Sequence, residues 1–89
     1  MAYKIVLTRS AVKELGGLSS KVHDNVVKHL RKLEYQPRGA GIEKLSGIEA
    51  YKLRIGNYRV IYEIDDRKKE VRIVMIDDRK QVYRRLRKR

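Results

Sequence analysis

YKLRIGNYRVIY, residues 51–62, decides the fold, because it reads as two strands around a two-residue turn. Gly56-Asn57 suits such a turn, since both residues tolerate positive φ. The pairing then runs outward: Ile55 with Tyr58, Arg54 with Arg59, Leu53 with Val60, Lys52 with Ile61 and Tyr51 with Tyr62. Side chains alternate between the faces of a strand. Tyr51, Leu53, Val60 and Tyr62 therefore share an apolar face, while Lys52, Arg54, Arg59 and Ile61 share the other. Opposed like charges destabilise a strand pair by a few tenths to about 1 kcal/mol. Three converging cations therefore ask for an anion, or for simple blunting of the sheet surface.

Around this hairpin lie two more strand-like runs. YKIVL, from Tyr3 to Leu7, is β-branched and expected at a sheet edge. VRIVMI follows the turn DDRKKE and should pair antiparallel with the hairpin. Between the first strand and the hairpin, Thr8 can cap a helix with Ala11, Val12 and Leu15 as its apolar positions, closed by a left-handed Gly16-Gly17. Ser19 or Ser20 can cap a longer helix whose stripe is Val22, Val26, Leu30 and Leu33, with Pro37 at its exit. QPRGAGIEKLSG is a glycine-rich connector. It lacks the Gly-Lys-Ser/Thr ending of a phosphate-binding loop. The reading is α+β, one domain over residues 1–89: an N-terminal helical hairpin on a mainly antiparallel four-stranded sheet, with a short basic C-terminal helix anchored by Val82, Tyr83 and Leu86.

Composition narrows the partner. The 89 residues carry 23 Lys and Arg against 11 Asp and Glu, a net charge of +12. Seven of those cations fall between Arg79 and Arg89, with no acid among them. Such an excess points to a polyanion or an acidic protein. No cysteine is present, which excludes disulfides and thiolate metal sites. No apolar run reaches the length of a membrane span and MAYKIVLTRS lacks a signal-peptide core, so a cytoplasmic protein is expected. His23 and His29 are six apart and fall on different sides of their helix. Asp65-Asp66 reads as turn chemistry, and Asp77-Asp78 beside Glu63 sits among arginines that disfavour a metal cation. No cofactor and no metal is expected.

Arg79 and Tyr83 sit four apart and share one side of a helix. An aromatic beside a cationic groove suits single-stranded nucleic acid, whose bases stack while its phosphates meet cations. LSGIEAYKLRIGNYRVIYEI followed by VRIVMIDDRKQVY resembles the RelE/ParE superfamily of bacterial toxins, in particular RelE-type messenger-RNA interferases. The resemblance runs from the first strand to Tyr83. It implies a RelE-like microbial RNase fold and a type II toxin that cuts messenger RNA in the ribosomal A site by metal-independent attack of the 2′-hydroxyl. By position it implies Lys52, Arg54, Arg59, Arg79 and Tyr83 as the active residues. Lysine among arginines would be a base, the arginines would hold phosphoryl charge, and Tyr83 would stack on a nucleobase. Asp78 stands where many relatives carry histidine. The implied partners are the ribosome, its messenger RNA and an acidic RelB-like antitoxin, with the toxin alone a monomer and hetero-oligomeric when bound. A ParE-type poison of DNA gyrase, or a basic RNA- or ribosome-binding protein without catalysis, are the alternatives.

Overall fold

The computed structural model describes residues 2–87; Met1, Lys88 and Arg89 lie outside it, so the end of the basic tail does too. Its elements are β1 (Lys4–Leu7), α1 (Arg9–Gly16), α2 (Ser20–Leu33), β2 (Ile42–Lys44), β3 (Tyr51–Ile55), β4 (Tyr58–Asp65), β5 (Glu70–Asp78) and α3 (Arg79–Arg87). The α+β class and the helical hairpin stand as expected, but the sheet has five strands, in the order β1-β5-β4-β3-β2. β1 lies at one edge, parallel to β5, and every other pairing is antiparallel. The fifth strand, β2, lies inside the glycine-rich connector. Its three residues are too few to show an alternation, and it exists only through pairing with β3.

The β3–β4 register is the expected one at all five pairs, Tyr51 with Tyr62 through Ile55 with Tyr58. Gly56 takes φ +57°, whereas Asn57 stays out of the left-handed region, the pattern of a turn that needs glycine at its first position. Four consecutive residues of β4, Arg59 to Tyr62, are buried. Both faces of the sheet are thus covered at this strand. On one face Val60 and Tyr62 join Leu53, Val71, Ile73 and the α2 stripe Val26, Leu30 and Leu33. On the other, Ile61 packs with Ala50, Met75 and Val82 of α3. A bulge makes this possible on β5, where Ile61 pairs with Met75 but Tyr62 with Ile73. The extra residue, Val74, switches which alternate positions face the helical hairpin, so Ile76 returns to the first core.

Thr8 caps α1 as expected, its Oγ1 accepting from the Ala11 N–H at 3.2 Å. Three local expectations are corrected. Val12 is 56% exposed, because Ala11 and Leu15 already fill the inward side of this two-turn helix. Gly17 closes α1 in a right-handed conformation, φ −83°, with its N–H bonded to the Lys13 carbonyl and the Leu18 N–H to that of Leu15. Ser19 begins α2 through its backbone, without a side-chain cap bond. The Tyr62 hydroxyl donates to the Pro37 carbonyl at 2.7 Å, tying the exit of α2 to the middle of the sheet. No helix among the described residues is long and apolar enough to cross a membrane.

Candidate functional site

β3, β4 and the first turns of α3 meet on the sheet face away from the helical hairpin, and the expected residues lie on these three elements. Lys52 points from β3 toward α3, where its Nζ lies 5.2 Å from the centre of the Tyr83 ring. This is a cation–π contact, and it orders both side chains. The charge of Lys52, and behind it that of Arg59, draws the Tyr83 phenol below its ordinary range. Tyr83 itself is 42% exposed. It is not the apolar anchor expected: Val82 and Leu86, one helical turn apart, face inward, which turns Tyr83 outward over Lys52.

Arg59 is buried, 4% exposed, and Nη1 donates to the Gly56 and Tyr58 carbonyls, both at 2.8 Å. The guanidinium is thus fastened to the hairpin turn by one nitrogen. The rest of the planar guanidinium borders the Tyr83 hydroxyl and helps to lower its pKa. Arg54 faces Arg59 across the hairpin as its Cα partner but is exposed, beside His29, Lys32 and Gln36 at the sheet rim. Arg79 opens α3, and its N–H donates to the Asn57 carbonyl at 2.9 Å. That bond docks the helix start on the hairpin turn, with the Arg79 side chain exposed. The structure thus brings Lys52, Arg59 and Tyr83 together, with Arg54 and Arg79 at the margins.

α3 is held by more than apolar contact. Nη1 of Arg85 donates to Glu14 Oε2 at 2.6 Å and to Asp77 Oδ2 at 3.0 Å, and the other Glu14 oxygen accepts from the Ile76 N–H at 2.9 Å. Asp78 Oδ1 accepts from the Gln81 N–H at 3.0 Å, which caps α3. That oxygen of Asp78 is thus committed to the helix start. Both acids of the Asp77-Asp78 pair therefore serve to place α3.

Two ion-pairing residues beside the site escaped the sequence. One is Arg85, read only as part of a basic run; its acceptor Glu14 is 71 positions away. The other is Glu43 on β2, the Cα partner of Lys52, whose Oε1 lies 3.5 Å from Nζ. Lys52 therefore meets a carboxylate where only arginines were expected as neighbours. The one available signal was the apolar–polar order of Ile42 and Glu43 ahead of the hairpin. The groove lined by Leu45, Ile48, Ala50, Val74 and Leu86, rimmed by Glu49 and Glu63, borders the second core rather than these cations.

The same architecture recurs in solved structures. The RelBE2 toxin–antitoxin complex of Mycobacterium tuberculosis contains a chain 27% identical, with TM-score 0.79 over 89% of this chain and 100% of that one. The archaeal RelE–RelB complex of Pyrococcus horikoshii OT3 gives 28% identity and TM-score 0.79, covering 89% and 97%. A doubly substituted E. coli toxin RelE in the free state gives 30% identity and TM-score 0.80, covering 93% and 92%. No curated protein matches the chain in sequence. A family model described as the ParE toxin of a type II toxin–antitoxin system, parDE, matches residues 5–83, and with it the chain belongs to the RelE/ParE superfamily of toxins.

Proposed function

We propose that this toxin is an endoribonuclease of the RelE type, a messenger-RNA interferase that cuts the transcript in the ribosomal A site and so blocks translation. The observation that carries this reading is the convergence of Lys52, a buried and half-tethered Arg59 and an exposed Tyr83 on one open surface. The phosphate flanking the scissile bond would meet Arg59, with Arg54 and Arg79 on the neighbouring phosphates and Tyr83 stacked on a nucleobase. A guanidinium already fixed by the fold loses little freedom when phosphoryl charge develops, which is what transition-state stabilisation requires. The Lys52 ammonium, held between Glu43 and the Tyr83 ring, is suited to protonate the departing 5′-oxygen. Attack by the substrate's own 2′-hydroxyl needs no metal and leaves a 2′,3′-cyclic phosphate. An open site with few chemical groups gains from a larger body that aligns the RNA for in-line attack, and the ribosome would supply this.

Control in the cell would come from an acidic, RelB-like antitoxin, as the RelE chains solved with RelB and the net charge of +12 both favour. The free toxin would be a monomer in the cytoplasm, hetero-oligomeric with its antitoxin. Primer extension on a message after induction tests the reading. Cuts should appear within codons and vanish when the start codon of that message is destroyed. Equal cutting of the untranslated message would remove the ribosome from the mechanism. The match to the ParE model favours a second reading, a poison of DNA gyrase. That reading predicts an intact message and blocked DNA supercoiling.

A further inference from the structure

A second pocket lies beyond Arg54, at the rim of the sheet under the end of α2, and no step of the cleavage uses it. His29, Lys32, Leu33 and Gln36 recur at steps of three, one and three, which is one helical face. α2 ends at Leu33, but the Gln36 N–H still donates to the Lys32 carbonyl at 3.0 Å, so the face runs on to Gln36. Opposite it stand Leu53 and Arg54 of β3, beside the bare backbone of Gly39 and Gly41. They enclose a cavity of about 290 Å³, at the small end for a ligand site. Resting on the nuclease reading, we infer that this pocket receives one nucleotide of the message next to the cut step, and so biases which codons are cleaved.

Floor and rim differ in the way a nucleotide requires. Leu33 and Leu53 are buried and offer an apolar floor to a base. Lys32 and Arg54 are exposed and offer charge to its phosphate. No carboxylate lines the pocket, and none among the described residues pairs with either cation. By contrast Arg38, Lys44, Lys52 and Arg85 each meet an acid. A helix end repels anions through its unpaired carbonyls. Here the Arg31 and Lys32 carbonyls accept from Glu34, Tyr35 and Gln36, which weakens that opposition. His29 Nδ1 lies 2.8 Å from the Asn25 carbonyl and must donate to it, which leaves Nε2 for a base edge. The Gln36 amide supplies a donor and an acceptor. Arg54 is also the Cα partner of Arg59, so a strand with one phosphate at Arg59 brings its neighbour toward the pocket.

The test has two arms. In the first, amide signals of the isotope-labelled free toxin are followed by NMR during titration with each 5′-mononucleotide, with the matching nucleosides and with inorganic phosphate. A 5′-mononucleotide should shift signals across 29–42 and at Arg54 saturably, and nucleoside or phosphate alone should bind more weakly. K32Q should weaken mononucleotide binding about tenfold, the usual worth of one charged hydrogen bond, at unchanged melting temperature. In the second, single-turnover cleavage on programmed ribosomes is compared across A-site codons. K32Q and Q36A should change the ratio of rates between codons about threefold or more. Shifts confined to the surroundings of Lys52, Arg59 and Tyr83, or equal mononucleotide affinity in K32Q, would overturn the pocket. A loss of ribosome affinity spread evenly over codons would overturn the message as its occupant, in favour of ribosomal RNA. No cleavage by the unsubstituted toxin, with mononucleotide still held at Lys32, would overturn the nuclease reading and the codon role but not the pocket.

Discussion

At Arg59 one side chain has two duties, and they can be separated. Nη1 satisfies the Gly56 and Tyr58 carbonyls, and on the nuclease reading the rest of the guanidinium would meet an anion. Arg59→Lys retains a charge and can keep a carbonyl partner but loses the planar fork. Its single-turnover cleavage rate should fall about 10²-fold, with ribosome affinity within about threefold, since the lost partner is charge that develops only in the transition state. Normal cutting at saturation with weakened binding would make the patch a docking surface. Asp78 differs in kind. Asp78→Ala should cost about 1 kcal/mol of stability by removing a helix cap, read as a lower melting temperature, and should not abolish cutting. Lys52, Arg54 and Arg59 were legible in the sequence because alternation about a tight turn fixes which face each takes. The ion pair of Glu43 with Lys52 was not, because it joins residues nine positions apart and Glu43 lies on a strand without pattern.

Among the elements, α3 brings Tyr83 and Arg79 to the hairpin, so the strength of its docking decides whether the site exists. Val82 is fully buried against Ile61 and Met75. Val82→Ala should cost roughly 1.5–3 kcal/mol, judged from smaller and larger core truncations. The ion-paired Arg85 is about one-third exposed and contributes less. Arg85→Gln should therefore speed amide exchange across 79–87 far more than in β4 or β5, with only a small change in melting. Equal protection in both proteins would show that apolar contact alone holds the helix. The β3–β4 hairpin was readable because its register is a local consequence of Gly56. The hold on α3 and the existence of β2 were not, since both arise from residues remote in the chain.

At the scale of the whole molecule, Arg38, Tyr3 and Asp66 fasten the connector, the N-terminal segment and the β4–β5 turn together. Arg38 donates to both Asp66 oxygens at 3.2 and 2.9 Å, and the Tyr3 hydroxyl donates at 2.8 Å. Arg38 first, then Tyr3, hold the Asp66 carboxyl down at about 2, from 3.8. A depressed carboxylate contributes stability that is complete above its unfolded value and lost as pH falls through the folded one. Asp66→Asn should therefore be less stable than the parent at pH 7, and the difference should close between pH 4 and pH 2 in acid titrations followed by circular dichroism. A gap unchanged at pH 2 would show that the clasp does not depend on charge. The net charge of +12 around this frame would suit a polyanion. Purified toxin added to ribosomes carrying a 5′-labelled message with a defined A-site codon puts the nuclease assignment to the sharpest trial. The expected result is one cut inside that codon, with a 2′,3′-cyclic phosphate on the upstream fragment, and no cut in the same RNA without ribosomes. An intact message at saturating toxin, with DNA gyrase inhibited by the same preparation, would contradict it.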